Sequence, residues 1–171
     1  MLGLKHNVNR LVEYDPAWPA EFDRERGRIA DALGSLAKGI EHYGSTAVAG
    51  MRAKPIIDIL VGVAPDTWSA CQVPLEGLGY DYAANAGVAG HHIFGRGRDA
   101  TERTHLVHLV AFMGKEWCSN LLLRDALRQD EELRRAYVAV KERAVAAAPE
   151  GRAKYNEFKR AFIDGVKLGL S

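Results

Sequence analysis

The segment from Pro55 to Val63 constrains the fold of this chain more than any other part of the sequence. It reads PIIDILVGV, so apolar residues occupy both alternating sets of positions around a single acid, Asp58. A strand that is apolar on both faces must be covered on both faces, which predicts an interior strand of a sheet flanked by helices. A carboxylate in such a strand is costly unless it is paired, hydrogen-bonded or bound to a metal ion. Asp58 is therefore either a structural acid with satisfied hydrogen bonds or part of a functional site.

The apolar pattern along the rest of the chain predicts mixed helices and strands followed by a helical C-terminal region. Asp15 and Pro16 suit a helix start, because Asp caps a helix and Pro fits its first turn. We expect an amphipathic helix over 16–37, strands over 40–43, 55–63, 80–82, 91–96 and 104–112, a short helix between 65 and 77, and helices over 115–171. This order predicts an α+β fold with a mixed β-sheet. The length of 171 residues fits one domain over 1–171, with 115–171 as its helical C-terminal part.

The net charge and the hydropathy of the chain argue against two classes of partner, nucleic acids and membranes. The formal net charge is +1 and there is no long basic stripe, which argues against nucleic acid as a partner. No apolar run approaches the roughly 20 residues of a membrane span, so no membrane association is expected. Residues 1–10 lack the apolar stretch of a signal peptide, and the cytoplasm is the expected location. The oligomeric state is left open.

A Gly-Ser turn lies shortly before the acid of the apolar strand. Gly44 and Ser45 follow the predicted strand 40–43, and Ser45 precedes Asp58 by 13 residues. A glycine turn lets backbone N–H groups approach an anion closely, and a serine hydroxyl adds a donor. An acid on the adjacent strand can hold the divalent cation that accompanies a nucleoside triphosphate. This arrangement is similar to the general pattern of nucleotidyltransferases.

A longer resemblance covers most of the chain. The run IEHYGSTAVAGMRAKPIIDI at positions 40–59 closely resembles the signature of the GrpB family. The runs YDPAWP at 14–19 and LRDALR at 123–128 resemble further parts of that family's pattern. The resemblance implies a nucleotidyltransferase-like fold, with a mixed sheet flanked by helices.

The resemblance also implies a function and a set of site residues. We expect metal-dependent transfer of a nucleotidyl group from a nucleoside triphosphate to a small-molecule acceptor. Ser45, Asp58 and His108 are the candidate catalytic residues, and Asp58 and His108 the candidate ligands of a divalent metal, with Mg²⁺ expected first and Mn²⁺ or Zn²⁺ as alternatives. The candidate residues for binding a nucleotide or other phosphorylated small molecule are His42, Gly44, Ser45, Thr46, Lys54, Arg96, Arg103 and Arg124.

The sequence departs from the usual nucleotidyltransferase pattern at the second acid. Active members usually carry two acids two residues apart on one strand, and here the second position is Leu60. Side chains two apart share a strand face, so the usual two-metal carboxylate site cannot be built from this strand alone. His105 and His108 are three apart and face opposite sides of a regular strand. We choose His108 for the site because it matches a histidine position of the family. The family often has a second histidine on the same strand face, and this chain has Leu106 at that position.

Several other charged or polar residues could have a structural role instead of a role in the site. Arg124 could pair with Asp125 or Glu116 rather than with a phosphate, and Arg98 suits a solvated loop. The pair His91-His92 faces two sides of a strand and is uninformative from sequence. The single acid favours a second function, a catalytically inactive module of the same fold that binds a nucleotide or phosphometabolite.

Overall fold

The computed structural model describes residues 1–86 and 88–170. The strands are β1 Leu4–Lys5, β2 Gly39–Tyr43, β3 Ile57–Val63, β4 Asp81–Tyr82, β5 His92–Arg96, β6 Glu102–Arg103 and β7 His105–Ala111. The helices are α1 Trp18–Leu33, α2 Gln72–Gly77, α3 Lys115–Gln129, α4 Glu131–Ala147 and α5 Ala153–Leu170. The predicted α+β order is confirmed. Ser171, the last residue of the predicted helical region, lies outside the described residues.

The main sheet has five strands in the order β2-β3-β7-β5-β4. β3 pairs antiparallel with β2 and parallel with β7, so the sheet is mixed and β3 lies inside it. Tyr43 of β2 and Leu106 of β7 both lie opposite Asp58, and His108 lies opposite Leu60. β1 and β6 form a separate two-stranded ribbon. The strand predicted from Pro55 begins two residues later, at Ile57.

The two faces of β3 pack against different helices, as its apolar pattern predicts. Ile57, Ile59 and Val61 are fully buried in a core with Trp18 and Ile29 of α1. The opposite face carries the other set of alternate residues and packs with α3. There, the buried cluster contains Tyr43, Leu60, Val110 and Trp117. Each fully buried Ile or Leu stabilises the fold by roughly 1.5–3 kcal/mol, so both faces hold the strand in register.

α1 is shorter than the predicted helix over 16–37. Asp15 accepts a hydrogen bond from the backbone N–H of Ala17 (2.9 Å), and the helix begins at Trp18. It ends at Leu33 because Gly34 has a φ of +52°, which interrupts the right-handed helix. A single 3₁₀ turn continues to Leu36.

The C-terminal helices bring a second core to the sheet. Val48 and Met51, which follow the Gly-Ser turn, are buried with Leu127 of α3 and Tyr137 of α4, and Phe162 of α5 packs against them. This core fixes α4 and α5 beside the Gly-Ser turn. Among residues 1–86 and 88–170, no helix is long and apolar enough to cross a membrane.

Candidate functional site

The Gly-Ser turn and Asp58 lie in direct contact. β2 ends at Tyr43, Gly44 follows with a φ of +74°, and residues Ser45–Ala47 form one 3₁₀ turn. An added Cβ at Gly44 would lie 2.9 Å from Oδ2 of Asp58. Only glycine therefore combines this backbone conformation with so close an approach of the carboxylate.

Asp58 is the first of four hydrogen-bonded side chains. Nε2 of His108 lies 3.3 Å from Oδ1 of Asp58. Nδ1 of His108 lies 3.2 Å from Nδ1 of His91, and Nε2 of His91 lies 2.8 Å from Oε2 of Glu116. Burial, together with the neighbouring His108, lowers the pKa of His91, which keeps it neutral at pH 7. His91 was uninformative from sequence because the strand pairing was unknown. In the structure Ile93 lies opposite His108, and alternation then puts His91, two residues before Ile93, on the face of His108.

Three lysines converge around the turn and Asp58. Nζ of Lys141 in α4 donates to Oγ of Ser45 at 3.0 Å and to the backbone carbonyl of Arg52, and only 1% of the residue is exposed. Nζ of Lys54 donates to Oδ1 of Asn9 at 2.6 Å and lies 3.6 Å from the ring centroid of Tyr155. Lys159 of α5 stands over the same ring, at 5.2 Å.

The charge of Asp58 acts on Lys54 and Lys159, but without a direct ion pair. Within the described residues, no acidic side chain forms an ion pair with Lys54, Lys141 or Lys159. Burial and the charge of Lys159 lower the pKa of Lys54 and of Lys141 to about 7. An anion placed among these ammonium groups would raise both values and be held strongly, because unpaired buried charge is costly. Lys141 was missed from sequence because its distance along the chain hides its contact with the turn, and Lys159 because the same distance hides its place near Lys54.

His42 and Thr46 support the turn from behind. Nε2 of His42 lies 2.9 Å from Oγ1 of Thr46, and the imidazole stacks on Phe22 at 4.8 Å. Both residues are buried on the α1 side of the sheet, and burial lowers the pKa of His42 to about 4. The structure therefore places the side chains of these two predicted phosphate-binding residues on the α1 side of the sheet, where they fix the shape of the turn.

The predicted arginines are engaged elsewhere. Arg96 lies on the α1 face and donates to Oε2 of the buried Glu25 at 2.9 Å. Arg103 donates to Oδ2 of Asp81 at 2.7 Å and helps line a cavity of about 50 Å³ that Lys54 also lines. Neither arginine is brought to Asp58.

Arg124 joins α3 to β2. It donates to Oε2 of Glu41 at 2.7 Å, to Oδ1 of Asp125 at 2.9 Å and to the carbonyl of His42 at 3.0 Å. These contacts match the structural alternative, in which Arg124 pairs with neighbouring acids. It braces the strand that leads into the turn.

Few side chains near Asp58 could coordinate a metal ion. Leu60, at the position of the usual second acid, is fully buried beside Tyr43 and Trp117. His105 faces the α1 side with Arg96, whereas His108 faces Asp58. In the described part of the chain, no three His, Cys, Asp or Glu side chains form a group that could hold a metal ion. Asp58 and His108 can supply at most two protein ligands.

The fold places the protein in a broad structural class. The Cid1 poly(U) polymerase superposes with a TM-score of 0.52, covering 80% of this chain and 43% of that chain. The sequence identity is 15%, so this likeness concerns the fold alone. The five-stranded mixed sheet with flanking helices is a nucleotidyltransferase-like fold, as predicted.

Closer similarities define the family. The family model described as GrpB protein matches residues 9–167. The crystal structure of the conserved protein GrpB from Enterococcus faecalis superposes with a TM-score of 0.82 at 32% identity, covering 94% of this chain and 96% of that one. The glutamate-rich protein GrpB of Alkalihalophilus pseudofirmus is 30% identical over 170 residues, which cover 97% of this chain and 98% of the relative. The chain belongs to the GrpB family.

Proposed function

We propose that this protein binds the phosphate groups of a nucleoside triphosphate at the Gly44-Ser45 turn and transfers its nucleotidyl group to a small-molecule acceptor. The observation that carries the proposal is the contact between the Ser45 hydroxyl and the buried Lys141, beside Asp58. A serine hydroxyl, an ammonium group without an acidic partner and an acid that could hold a cation suit a polyphosphate when they meet at one turn. The nucleotidyltransferase-like fold supports the same reading.

The lysines supply the positive charge that phosphates require. Lys54, Lys141 and Lys159 come from the strand entrance, α4 and α5, and the structure pairs none of them with an acid within the described residues. Their charge would stabilise the negative charge that develops on the phosphate oxygens during transfer. Arg96 is no part of this proposed site, because it binds Glu25 on the opposite face.

A divalent cation fits this site if the protein and the phosphates of the nucleotide both coordinate it. Magnesium is commonly held by one or two carboxylates together with substrate phosphates, so one acid is enough for one ion. Asp58 would hold that ion, and His108 would be its second protein ligand. When bound, such an ion neutralises phosphate charge and orients the reacting groups.

Leu60 favours a second candidate function. A two-metal carboxylate site would need an acid where Leu60 is buried among aromatic residues. The same pocket would then bind a nucleotide or phosphometabolite without transferring a group. Binding is common to both candidates, and only turnover separates them.

Thermal unfolding with each of the four ribonucleoside triphosphates, with and without Mg²⁺, Mn²⁺ or Zn²⁺, tests the proposal. A nucleotide at about a hundred times its dissociation constant adds roughly 2.7 kcal/mol to the free energy of unfolding and raises the melting temperature. Lys141→Met should weaken binding at least about tenfold, since a hydrogen bond to a charged group contributes about 1.5–3 kcal/mol. Lys154→Met is the matched control, because Lys154 is exposed on α5.

Two outcomes decide between the candidates. A melting shift that is lost in Lys141→Met and in Asp58→Ala, with pyrophosphate released in the presence of pooled acceptors, supports transfer. The same shift without pyrophosphate release supports the binding module. No shift with any nucleotide, or equal shifts in Lys141→Met and Lys154→Met, contradicts the proposed site.

A further inference from the structure

A small cavity with basic walls shares Lys54 with the proposed nucleotide site. Its volume is about 50 Å³, which is room for a few water-sized groups. Among the described residues that line it, half are basic and none is acidic. The basic residues are Lys5, His6, Lys54, Arg103 and Arg152. They come from the N-terminal segment, the entrance of β3, β6 and the residue before α5, so the fold collects them from distant parts of the chain.

A buried asparagine fixes the walls of this cavity. Asn9, which also lines it, is 5% exposed, and its Nδ2 donates to the backbone carbonyls of Ala148 at 2.7 Å and Gly151 at 2.6 Å. Its Oδ1 accepts the hydrogen bond from Nζ of Lys54 at 2.6 Å. Asn9 therefore joins the N-terminal segment to the loop that carries Arg152, and it positions the ammonium group of Lys54.

Two features of the basic side chains indicate that the cavity takes an anion. Nε2 of His6 is buried and has no hydrogen-bond partner within the described residues, although buried polar atoms nearly always have one. Neither Arg152 nor Lys54 forms an ion pair with an acid in the same part of the chain. Arg103 has one acidic partner, the mostly exposed Asp81. The cavity walls therefore hold positive charge in excess and a ring nitrogen free to bind a ligand.

Both arginines lie close enough to His6 to affect its ionisation. Burial lowers the pKa of His6, and the positive charges of Arg103 and Arg152 lower it further. Asp81 and Asp99 act in the opposite direction with a smaller effect. Two guanidinium groups and a neutral imidazole thus surround one small space, where the arginines supply charge and His6 supplies a hydrogen bond.

We propose that this cavity binds the phosphate group of a small molecule, with Arg103 and Arg152 donating to its oxygens and His6 donating through Nε2. A phosphate monoester carries a charge of roughly −1.5 to −2 at pH 7. That charge matches the two cations without an acidic partner, Lys54 and Arg152, better than the single charge of a carboxylate does. Arginine forks also fit phosphate oxygens in pairs.

The position of Lys54 connects this cavity to the chemistry of the neighbouring site. Lys54 lines the cavity and also feels the charge of Asp58. In a step that rests on the proposed function, the cavity holds the phosphate of the acceptor while the Gly44-Ser45 turn holds the nucleotide. The acceptor then belongs to the class of phosphate monoesters.

Calorimetric titration of inorganic phosphate at constant ionic strength, with no nucleotide or metal present, tests the cavity site. Arg152→Met should weaken phosphate binding at least about tenfold, because a hydrogen bond to a charged group is lost. Arg152→Lys should restore part of the affinity by keeping the charge. His6→Leu should also weaken binding, and acetate should bind wild type more weakly than phosphate does.

Arg160→Met is the matched control, because Arg160 is exposed on α5 as Arg152 is exposed before it, and it does not line the cavity. This variant should bind phosphate as wild type does. Equal losses in Arg152→Met and Arg160→Met would show a general effect of charge and overturn the inference, as would wild type that binds no phosphate. Thermal melting of each variant shows whether a lost affinity reflects unfolding.

Lys141→Met distinguishes the cavity from the Gly44-Ser45 turn. Phosphate in the cavity should still bind to this variant, whereas nucleotide should not. Phosphate binding that is lost in Lys141→Met and unchanged in Arg152→Met places the anion at the turn and overturns the inference.

A second phosphate titration at saturating nucleotide tests the assignment to the acceptor. An unchanged phosphate affinity supports it, whereas competition between phosphate and nucleotide means that a nucleotide phosphate occupies the cavity and overturns it. Phosphate binding that depends on Arg152, without any nucleotide binding, leaves the cavity site standing while the proposed function fails. Nucleotide binding that depends on Lys141, without phosphate binding that depends on Arg152, does the reverse.

Discussion

Gly44 illustrates how one residue serves both backbone and site. Its φ of +74° favours glycine, and its missing side chain leaves room for the Asp58 carboxylate. Gly50 has a similar φ of +77°, but nothing lies within 4 Å of its absent Cβ. The two positions therefore share a positive φ and differ in close packing.

Comparison of Gly44→Ala with Gly50→Ala separates these effects. Both substitutions should destabilise the fold by about 1–3 kcal/mol through the positive φ. Gly44→Ala should cost roughly 1–3 kcal/mol more through overpacking, and should also weaken ligand binding by displacing Asp58. Denaturant unfolding measures the difference, and equal free energies of unfolding in the two variants would argue against the contact with Asp58.

Among the elements, α1 is tied to the sheet through a buried acid. Glu25 is 3% exposed and accepts hydrogen bonds from Tyr80 at 2.7 Å and from Arg96 at 2.9 Å. Burial raises the pKa of Glu25, but the Tyr80 hydrogen bond and the Arg96 charge outweigh it and hold the pKa below its ordinary value. Arg96 thus stabilises the packing of α1 rather than contacting Asp58.

Arg96→Met should lower the free energy of unfolding by roughly 1.5–3 kcal/mol, because the buried Glu25 loses one hydrogen bond from a charged group and keeps only Arg28 as a charged partner. Nucleotide and metal affinity should stay unchanged. Arg24→Met is the control on α1, since Arg24 pairs with the partly exposed Glu21 and should contribute less than about 1 kcal/mol. If a folded Arg96→Met variant no longer binds its ligands, Arg96 belongs to the binding site after all.

For the molecule as a whole, the buried lysines make stability depend on pH. Lys54 and Lys141 have pKa values of about 7 in the folded protein and an ordinary value of 10.5. Between these values the unfolded chain binds more protons than the folded protein, so the free energy of unfolding rises with pH. Above about pH 10 the sign reverses, because burial raises the pKa of Tyr43 and Tyr80.

The melting temperature of wild type should therefore increase between about pH 7 and 10. The double variant Lys54→Met, Lys141→Met should show a clearly smaller increase, whereas Lys154→Met should follow wild type. Melting curves across this range make the comparison. Parallel profiles for wild type and the double variant would show that these lysines titrate normally in the folded protein.

The sequence by itself determined the local elements and which residues of the candidate site share a strand face. The two-sided apolar pattern around Asp58 predicted an interior strand between helical layers, because a strand's side chains alternate between its faces. The same alternation placed Leu60 on the face of Asp58 and separated His105 from His108. The Gly44-Ser45 turn and the family resemblance directed attention to the end of β2 that the structure brings against Asp58. Helix ends were less predictable, since Gly34 stopped α1 before residue 37.

Only the tertiary structure decided which distant residues meet at that turn. Lys141 reaches Ser45 across 96 positions, and His91 joins His108 across 17, through packing of whole elements that no local pattern encodes. The tertiary structure also pairs Arg96 with Glu25 and Arg124 with Glu41. From sequence, the positive charge of both arginines had made them candidates for binding phosphate. Local periodicity follows from the geometry of a single strand or helix, whereas charge pairing depends on which elements the two cores bring together.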